Sequence, residues 1–405
     1  MRKKTLALLG LLLVCPSAWA ADGPLPRDPT FTTLVTTPLP IEGLTGDHQG
    51  NLYTTGRRAG TDLANCPVWR VSAADPSPEL VEVGSVPATG GTACSPSGIA
   101  FNAAGALFIS DGSRIHTLTP NAVTKPVATV YATDAPGTNG LAFDRGGNLW
   151  TGDGTTGQGR VWKIPPHSGS VSAGTEVFRV QPLANEVNFV SMDPLVPSVP
   201  NVGRDVRTLP PGTITVTLTS RNASNTAGSQ PLVANGIAFN HQGDMLIADT
   251  ARGAIFKVEF NRDGSIRTRR GCDTTFTANT LCLDSIFVAH SQLEGADGIA
   301  LDVAGNIWVA ANERNAIVVV SRQGGVTEVF RNDPDAESRL RNKGPLEFPT
   351  SPFLLGHKFC TASSDGNRRD NSPASAGEIA AGTDKQGKIS CMEQRLHIPG
   401  MRLPL

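Results

Sequence analysis

The sequence has no long basic run, no long apolar run after its first twenty residues, and no Cys-x-x-Cys pair. Its 35 Lys and Arg residues nearly balance its 36 Asp and Glu residues, and the short basic cluster at residues 267–270 is typical of a solvated hairpin edge. Nucleic acid is therefore not an expected partner. No later stretch reaches the ~18 apolar residues of a membrane span, so none is predicted.

Aromatic residues are also scarce, at 5%, whereas 43 glycines and 30 prolines are present. Frequent glycine and proline favour many turns over long helices, and 39% hydrophobic residues suffice for a buried core. The composition therefore predicts a globular, all-β protein. A length of 405 residues does not require several domains, because a repeat architecture can occupy such a length as one body.

The N-terminal segment has the three parts of a secretory signal peptide. Positive residues at 2–4 precede an apolar run at 6–14, and the small-residue motif Ala-Trp-Ala follows at 18–20. We expect residues 1–20 to be removed after Ala20. The mature protein would then be exported, to the periplasm or outside the cell.

Seven cysteines are present, and Cys15 leaves with the predicted signal peptide. The remaining even number favours disulfides in an oxidising compartment. Several connectivities are open from sequence alone, and pairing of neighbours along the chain is the simplest of them. It would join Cys66 to Cys94, Cys272 to Cys282, and Cys360 to Cys391.

Five stretches of the sequence align without a gap. They are GLTGDHQGNLYTTG from Gly43, GIAFNAAGALFISD from Gly98, GLAFDRGGNLWTGD from Gly140, GIAFNHQGDMLIAD from Gly236 and GIALDVAGNIWVAA from Gly298. Each block is an alternating apolar run, a turn with a central glycine and a second alternating run, the pattern of a β-hairpin. A further strand-like run follows, as at residues 160–164 and 254–258. Three or four strands per unit are the content of a propeller blade.

A looser sixth match covers residues 348–359, with Ser351 in the position that precedes the block. The sequence therefore predicts a six-bladed β-propeller that forms a single domain over residues 21–405. The interval between the third and fourth blocks is the longest, and residues 183–232 within it are interpreted as a loop insertion between blades 3 and 4. A tail at about residues 363–405 contains Cys391, the predicted partner of Cys360.

The residue immediately before each complete block carries a side-chain oxygen. These residues are Glu42, Ser97, Asn139, Asn235 and Asp297. Equivalent positions of the inner strands face one another across the central channel of a propeller, so these side chains should converge at one mouth. Two carboxylates and two amide carbonyls suit a hard divalent cation, calcium above all, with other divalent cations left open. Zinc is disfavoured because no His or Cys takes an equivalent position.

A second interpretation is that Asn or Asp before Gly only shapes a turn. A non-catalytic scaffold or binding propeller of the NHL type would carry such residues for that reason. Glu42 distinguishes the two interpretations, because glutamate has little turn preference.

The motifs Glu42-Gly43, Asn139-Gly140, Asn235-Gly236 and Asp297-Gly298 resemble those of the gluconolactonase and regucalcin family of six-bladed propellers, also named for senescence marker protein and LRE. Diisopropyl-fluorophosphatase and the paraoxonases are more distantly similar. The resemblance runs from about residue 41 to residue 362. It implies that Glu42, Asn235 and Asp297 bind a catalytic metal, and that Asn139 binds metal or substrate. The sequence departs from the family in lacking a proline after Glu42 and in its long insertion and tail.

The resemblance implies a calcium-dependent hydrolase, a lactonase or gluconolactonase-like esterase whose metal polarises the substrate carbonyl, and the predicted signal peptide implies that it is exported. Asp297 is the candidate general base or nucleophile, and Glu42 is mainly a ligand. Ser97 and Ser351 are weaker ligands, so we expect substrate to bind on their side of the ring. The expected partner is a small molecule, and the expected state is a monomer.

Other enzyme classes have less support. No Gly-x-Ser-x-Gly elbow stands between a strand and a helix, so serine hydrolysis is not indicated. A carbon–carbon-forming enzyme of the strictosidine synthase type would be expected to lack the full set of oxygen ligands. His48 and His357 are interpreted as loop histidines, since both lie in predicted turns.

Overall fold

The computed structural model describes residues 24–75, 77–156, 158–181, 232–271, 276–293, 295–332, 344–364 and 386–403. The predicted signal peptide and residues 183–231 of the predicted insertion lie outside the described residues. Within the described ranges, no helix has the length and apolar character needed to cross a membrane.

Six antiparallel sheets, each built on four main strands, confirm the predicted all-β six-bladed propeller. The inner strands of blades 1 to 6 are Thr45–Gly46, Pro96–Phe101, Thr138–Phe143, Ile237–Phe239, Ala296–Leu301 and Pro349–Leu355. The second strands are Asn51–Thr55, Leu107–Asp111, Leu149–Asp153, Met245–Asp249, Ile307–Ala311 and Lys358–Ser363.

The outer half of each blade completes the sheet. The third strands are Cys66–Ser72, Arg114–Leu118, Arg160–Ile164, Ala254–Val258, Ala316–Val320 and Gly387–Met392. The outermost main strands are Val81–Val86, Thr129–Thr133, Thr175–Val180, Ile286–Ala289, Val326–Arg331 and Phe31–Thr37. Two short parallel strands, Ser172–Ala173 and Thr280–Leu281, extend blades 2 and 3. Short 3₁₀ helices lie at Leu283–Ser285, Ser291–Leu293 and Asn312–Arg314.

One turn geometry joins the first two strands in the five blades with a complete block. In blade 3, Asp144 Oδ1 accepts hydrogen bonds from the backbone N–H groups of Gly146 and Asn148, each at 2.9 Å. Gly147 has φ of 76°, which a residue with a side chain rarely adopts. The same bonds form at Asp47, Asn102, Asn240 and Asp302. An Asp or Asn acceptor with a glycine three residues later therefore fixes this hairpin turn.

The core consists of apolar layers between neighbouring blades. Strand side chains alternate between the two faces of a sheet, so Leu149 packs toward blade 2 and Trp150 toward blade 4. Trp150 meets Phe239 and Phe260 with ring centroids 6.1 and 5.6 Å apart. Each blade is thus covered on both faces by its neighbours, so closure of the ring buries apolar surface on every sheet.

Blade 6 combines the two ends of the described chain. Its outermost strand, Phe31–Thr37, pairs with Gly387–Met392, and that strand pairs with Lys358–Ser363. Residues 387–392 of the predicted tail are therefore a strand of the last blade. The sequence did not predict this strand, because more residues separate it from the second strand of its blade, which ends at Ser363, than in the other blades.

The disulfides follow the predicted pairing where the structure describes both partners. Cys66–Cys94 and Cys360–Cys391 are bonded. The second of these links two adjacent strands of blade 6. Cys282 is also disulfide-bonded, and Cys272 lies outside the described residues. Two of the three predicted pairs are thus confirmed.

A buried histidine lies in blade 2. His116 is 0% exposed, and its strand neighbour Ile109 belongs to the core between blades 1 and 2. Neither ring nitrogen has a hydrogen-bond partner in the described part of the chain, and Nε2 is 3.8 Å from Asp111 Oδ2. Burial lowers the pKa of His116, the carboxylate of Asp111 offsets part of that shift, and Arg114 adds to it.

We expect His116 to make the protein less stable as the pH falls below about 6.5, the ordinary pKa of histidine. The unfolded chain takes up a proton there and the folded chain does not, so acid favours unfolding. Above about pH 7 the side chain is neutral in both states. Urea unfolding at pH 7.5, 6.5 and 5.5 measures this slope. The His116→Gln variant should have a shallower slope, and an unchanged slope would contradict the assignment. His290→Gln is a second test, because burial also lowers the pKa of His290, so this variant should have a shallower slope as well.

Candidate functional site

The residues that precede the blocks form a closed ring at one end of the inner strands. The glycine that opens each block packs against the carbonyl oxygen of the ring residue in the next blade. A Cβ added at these glycines would lie 2.2 Å from Ser97 O (Gly43), 2.0 Å from Asn139 O (Gly98), 2.7 Å from Asn235 O (Gly140), 2.3 Å from Asp297 O (Gly236) and 2.4 Å from Thr350 O (Gly298). Thr350 Oγ1 closes the circle with a 2.7 Å hydrogen bond to Glu42 O.

We call Glu42, Ser97, Asn139, Asn235, Asp297 and Thr350 the first ring. The sequence alignment put Ser351 in the sixth place, and the structure puts Thr350 there. Thr350 follows Pro349, which pairs with the last residue of the second strand, just as Asp297 follows Ala296. Blade 6 has no glycine at the start of its block, so its register could not be aligned from sequence. The role predicted for Ser351 in substrate binding stays a prediction.

Three of the predicted ligands lie together. Asn139 Nδ2 donates a 3.1 Å hydrogen bond to Glu42 Oε1. A Cβ at Gly154 would lie 2.6 Å from Asn139 Cβ and 2.7 Å from Asn235 Oδ1, so both asparagine side chains border the same backbone position. The absence of a side chain at Gly154 is therefore what leaves room for them.

A second variable position stands immediately after each block, fifteen residues beyond the first. We call its members the second ring: Arg57, Gly112, Gly154, Thr250 and Asn312. Three of them contact the first-ring residues of their own blades. The pairs are Arg57 with Glu42, Asn235 Nδ2 with Thr250 Oγ1 at 3.0 Å, and Asn312 Nδ2 with Asp297 Oδ2 at 3.0 Å. Sequence reasoning missed this ring, although reading the residue after each block would have found it.

Arg57 is the most consequential of these residues. Its Nη1 forms an ion pair with Glu42 Oε2, and its Nε and Nη2 donate to Ser95 Oγ at 3.1 and 2.9 Å. The formal charges of Glu42, Asp297 and Arg57 sum to −1. The two carboxylates alone, which were the charged ligands predicted from the sequence, would give −2.

Two buried amide oxygens of these rings receive no hydrogen bond from the residues that the structure describes. They are Asn235 Oδ1 and Asn312 Oδ1, on residues that are each 1% exposed. Leaving a buried acceptor unpaired costs about 1–3 kcal/mol, which a bound cation would relieve. All the side-chain acceptors of the set are oxygens, so its chemistry fits a hard divalent cation. Within the described ranges, no three His, Cys, Asp or Glu side chains group as a metal site, and this ring relies on amides for its further oxygens.

Ser97 has a structural role in the first ring. Its hydroxyl lies 2.9 Å from Ser110 Oγ and donates to Thr138 O at 3.1 Å, and the residue is 4% exposed. Its predicted contact with substrate stays a prediction. His48 lies exposed in the first hairpin turn, and His357 Nδ1 lies 2.8 Å from Leu396 O. Both histidines are at the turn end of the blades.

An apolar cavity of about 110 Å³ occupies the channel between the inner strands. Leu44, Ile99 and Phe239 are among its lining residues, and Met401 and Leu403 of the C-terminal segment line it as well. Met401 N donates to Leu301 O at 2.8 Å, next to the hairpin turn of blade 5. The polar first ring and the C-terminal segment therefore border opposite ends of the channel.

The arrangement agrees with one protein family. Residues 114–334, more than half of the chain, match the SMP-30/gluconolactonase/LRE-like region. The chain belongs to this family. No curated protein matches the sequence of this SMP-30/gluconolactonase/LRE-like propeller.

Solved structures show the same fold in distant relatives. A luciferin-regenerating enzyme superposes with a TM-score of 0.55 at 15% identity, over 92% of this chain and 97% of its own. A regucalcin from Agrobacterium tumefaciens, described as a calcium-binding protein, has a TM-score of 0.50 at 15% identity, over 94% of this chain and 100% of its own. At these identities the likeness establishes the fold.

We expect Gly98→Ala to destabilise the protein by about 2 kcal/mol or more, because the new methyl group would collide with the backbone of blade 3. Chemical denaturation measures the change in the free energy of unfolding. Gly325→Ala is the control: Gly325 is exposed, and its Cβ would meet only the flexible Ser321 side chain, with Oγ at 3.1 Å. Equal stability of the two variants would show that the glycines that open the blocks are not tightly packed.

Proposed function

We propose that this protein is an exported hydrolase of lactone or ester bonds that depends on a divalent cation, with calcium preferred. The first ring supports the proposal, because Glu42, Asn235 and Asp297 lie in equivalent positions at one end of the inner strands, and the buried Asn235 Oδ1 has no donor among the described residues. Membership of the SMP-30/gluconolactonase/LRE-like family supports a lactonase-like activity. The calcium-binding description of the regucalcin supports the choice of metal.

In this proposal Glu42, Asn139, Asn235 and Asp297 hold the cation. When bound, a divalent cation polarises a carbonyl oxygen and stabilises the negative charge that grows there. Asp297 acts on the substrate side, either as the base that takes a proton from water or as the attacking carboxylate. Asn312 positions it through the hydrogen bond to Oδ2. Glu42 is fixed from both sides by Asn139 and Arg57.

Export has its own support. The disulfides Cys66–Cys94 and Cys360–Cys391 are typical of proteins that fold in an oxidising compartment. They agree with the signal peptide predicted at residues 1–20. The proposed place of action is therefore the periplasm or the outside of the cell.

A non-catalytic binding propeller is the second candidate, and one observation favours it. Glu42 and Asp297 already have side-chain donors, from Arg57 and Asn139 in one case and from Asn312 in the other. A ring satisfied in this way holds together without a cation. The two candidates differ in whether the ring takes up a metal and turns over substrate.

We expect Asp297→Asn and Glu42→Gln each to lower hydrolysis of a lactone and aryl-ester panel at least about 100-fold, because each removes one of two ligand charges. Hydrolysis is measured with added calcium and with a chelator, and circular dichroism checks the fold. Asp263→Asn, in an exposed turn, is the matched control and should keep full activity. Full activity in either ring variant, or in the presence of chelator, would overturn the metal mechanism. Absence of both turnover and calcium binding in the unaltered protein would favour the binding propeller.

A further inference from the structure

We propose that Arg57 sets the cation affinity of the first ring by competing with the cation for Glu42. This inference rests on the cation site of the proposed function. It adds a residue that lies outside the predicted ligand set and acts against binding. The ring would then hold its cation more weakly than its ligands alone allow.

The guanidinium of Arg57 is held in place from two blades. Nη1 pairs with Glu42 of blade 1, while Nε and Nη2 both donate to Ser95, which precedes blade 2. Ser95 is itself fixed, because its backbone N–H donates to Asp111 Oδ1 at 2.8 Å. The side chains of Arg57 and Glu42 are 22% and 12% exposed. Solvent screening and side-chain mobility therefore weaken this ion pair less than they weaken a mobile ion pair on the surface.

The repeat provides an internal comparison. The other members of the second ring are Gly112, Gly154, Thr250 and Asn312, and all of them are uncharged. Asp297 in particular receives a neutral amide from Asn312 at the place where Glu42 receives a cation. Within the second ring, the one positive charge therefore faces Glu42.

A fixed positive charge beside a ligand opposes cation binding in two ways. It repels the cation, and it occupies a carboxylate oxygen that the cation would otherwise use. Proteins tune calcium affinity over several orders of magnitude through the number of charged ligands and the rigidity of the site. Removing the Arg57 charge returns the ring from −1 to the −2 of its two carboxylates, and should tighten binding.

Calcium titration of the mature protein by calorimetry tests this directly. We expect Arg57→Gln to lower the calcium Kd at least about tenfold, since charge count is a main determinant of calcium affinity. Arg57→Lys keeps the charge but loses the paired hydrogen bonds to Ser95, so it should tighten binding by a smaller factor than Arg57→Gln does. Arg58→Gln is the matched control, because the neighbouring Arg58 pairs with Asp62, and its Kd should not change.

Thermal unfolding gives a second readout that a purely structural role would not reproduce. In chelator, Arg57→Gln should have a lower Tm than the unaltered protein, because Glu42 loses its cationic partner. Saturating calcium should then raise the Tm of Arg57→Gln by more than it raises that of the unaltered protein. A structural role alone would lower the Tm equally in both conditions, and that result would overturn the inference.

Should Arg57→Gln fail to fold, Ser95→Ala removes two hydrogen bonds from the guanidinium and keeps its charge, and should tighten calcium binding by a smaller factor. Equal or weaker calcium binding by both variants, beside normal binding by the unaltered protein, overturns the role of Arg57 and leaves the proposed function standing. Failure of the unaltered protein and of Arg57→Gln alike to bind calcium overturns both.

Discussion

Each glycine that opens a block packs against the carbonyl oxygen of the first-ring residue in the next blade, and this contact determines the geometry of the channel mouth. None of these five glycines has a positive φ, so the constraint is one of space and not of backbone conformation. Together with the hydrogen bond from Thr350 to Glu42, these contacts hold the six first-ring residues at the same height along the channel, with only backbone atoms between neighbouring blades. The side chains at this level can then be exchanged without altering the frame, which explains how a scaffold of near-identical blocks presents an acidic, an amide and a hydroxyl side chain at equivalent places.

Local chemistry explains how much could be predicted. The alternation of Leu149 and Trp150, and the turn formed by Asp144 and Gly147, depend on neighbours within a few residues, and the structure confirms both. Pairing of neighbouring cysteines succeeded for a similar reason, since each confirmed pair joins segments of one blade or of its connection.

Two kinds of feature escaped prediction. The Arg57–Glu42 pair is local, since it spans fifteen residues of one hairpin, but a search for ligands before each block did not consider the residue after it. The other features depend on distant contacts. The register of Thr350 depends on contacts with Gly298 and Glu42, far away in the sequence. The strand at residues 387–392 is recognised only when residues 31–37 lie beside it, because its pairing spans almost the whole chain.

The way blade 6 is assembled has a consequence for the order of folding during synthesis. Blades 1 to 5 are each continuous in sequence apart from short additions, and can form as the chain emerges. The sixth sheet needs residue 392 beside residue 31, so the circle stays open until the chain has been made as far as residue 392. Formation of Cys360–Cys391 likewise waits for residue 391. The first ring, whose last contact joins Thr350 to Glu42, is therefore among the final parts of the molecule to assemble, and a shorter chain would leave the sixth blade incomplete.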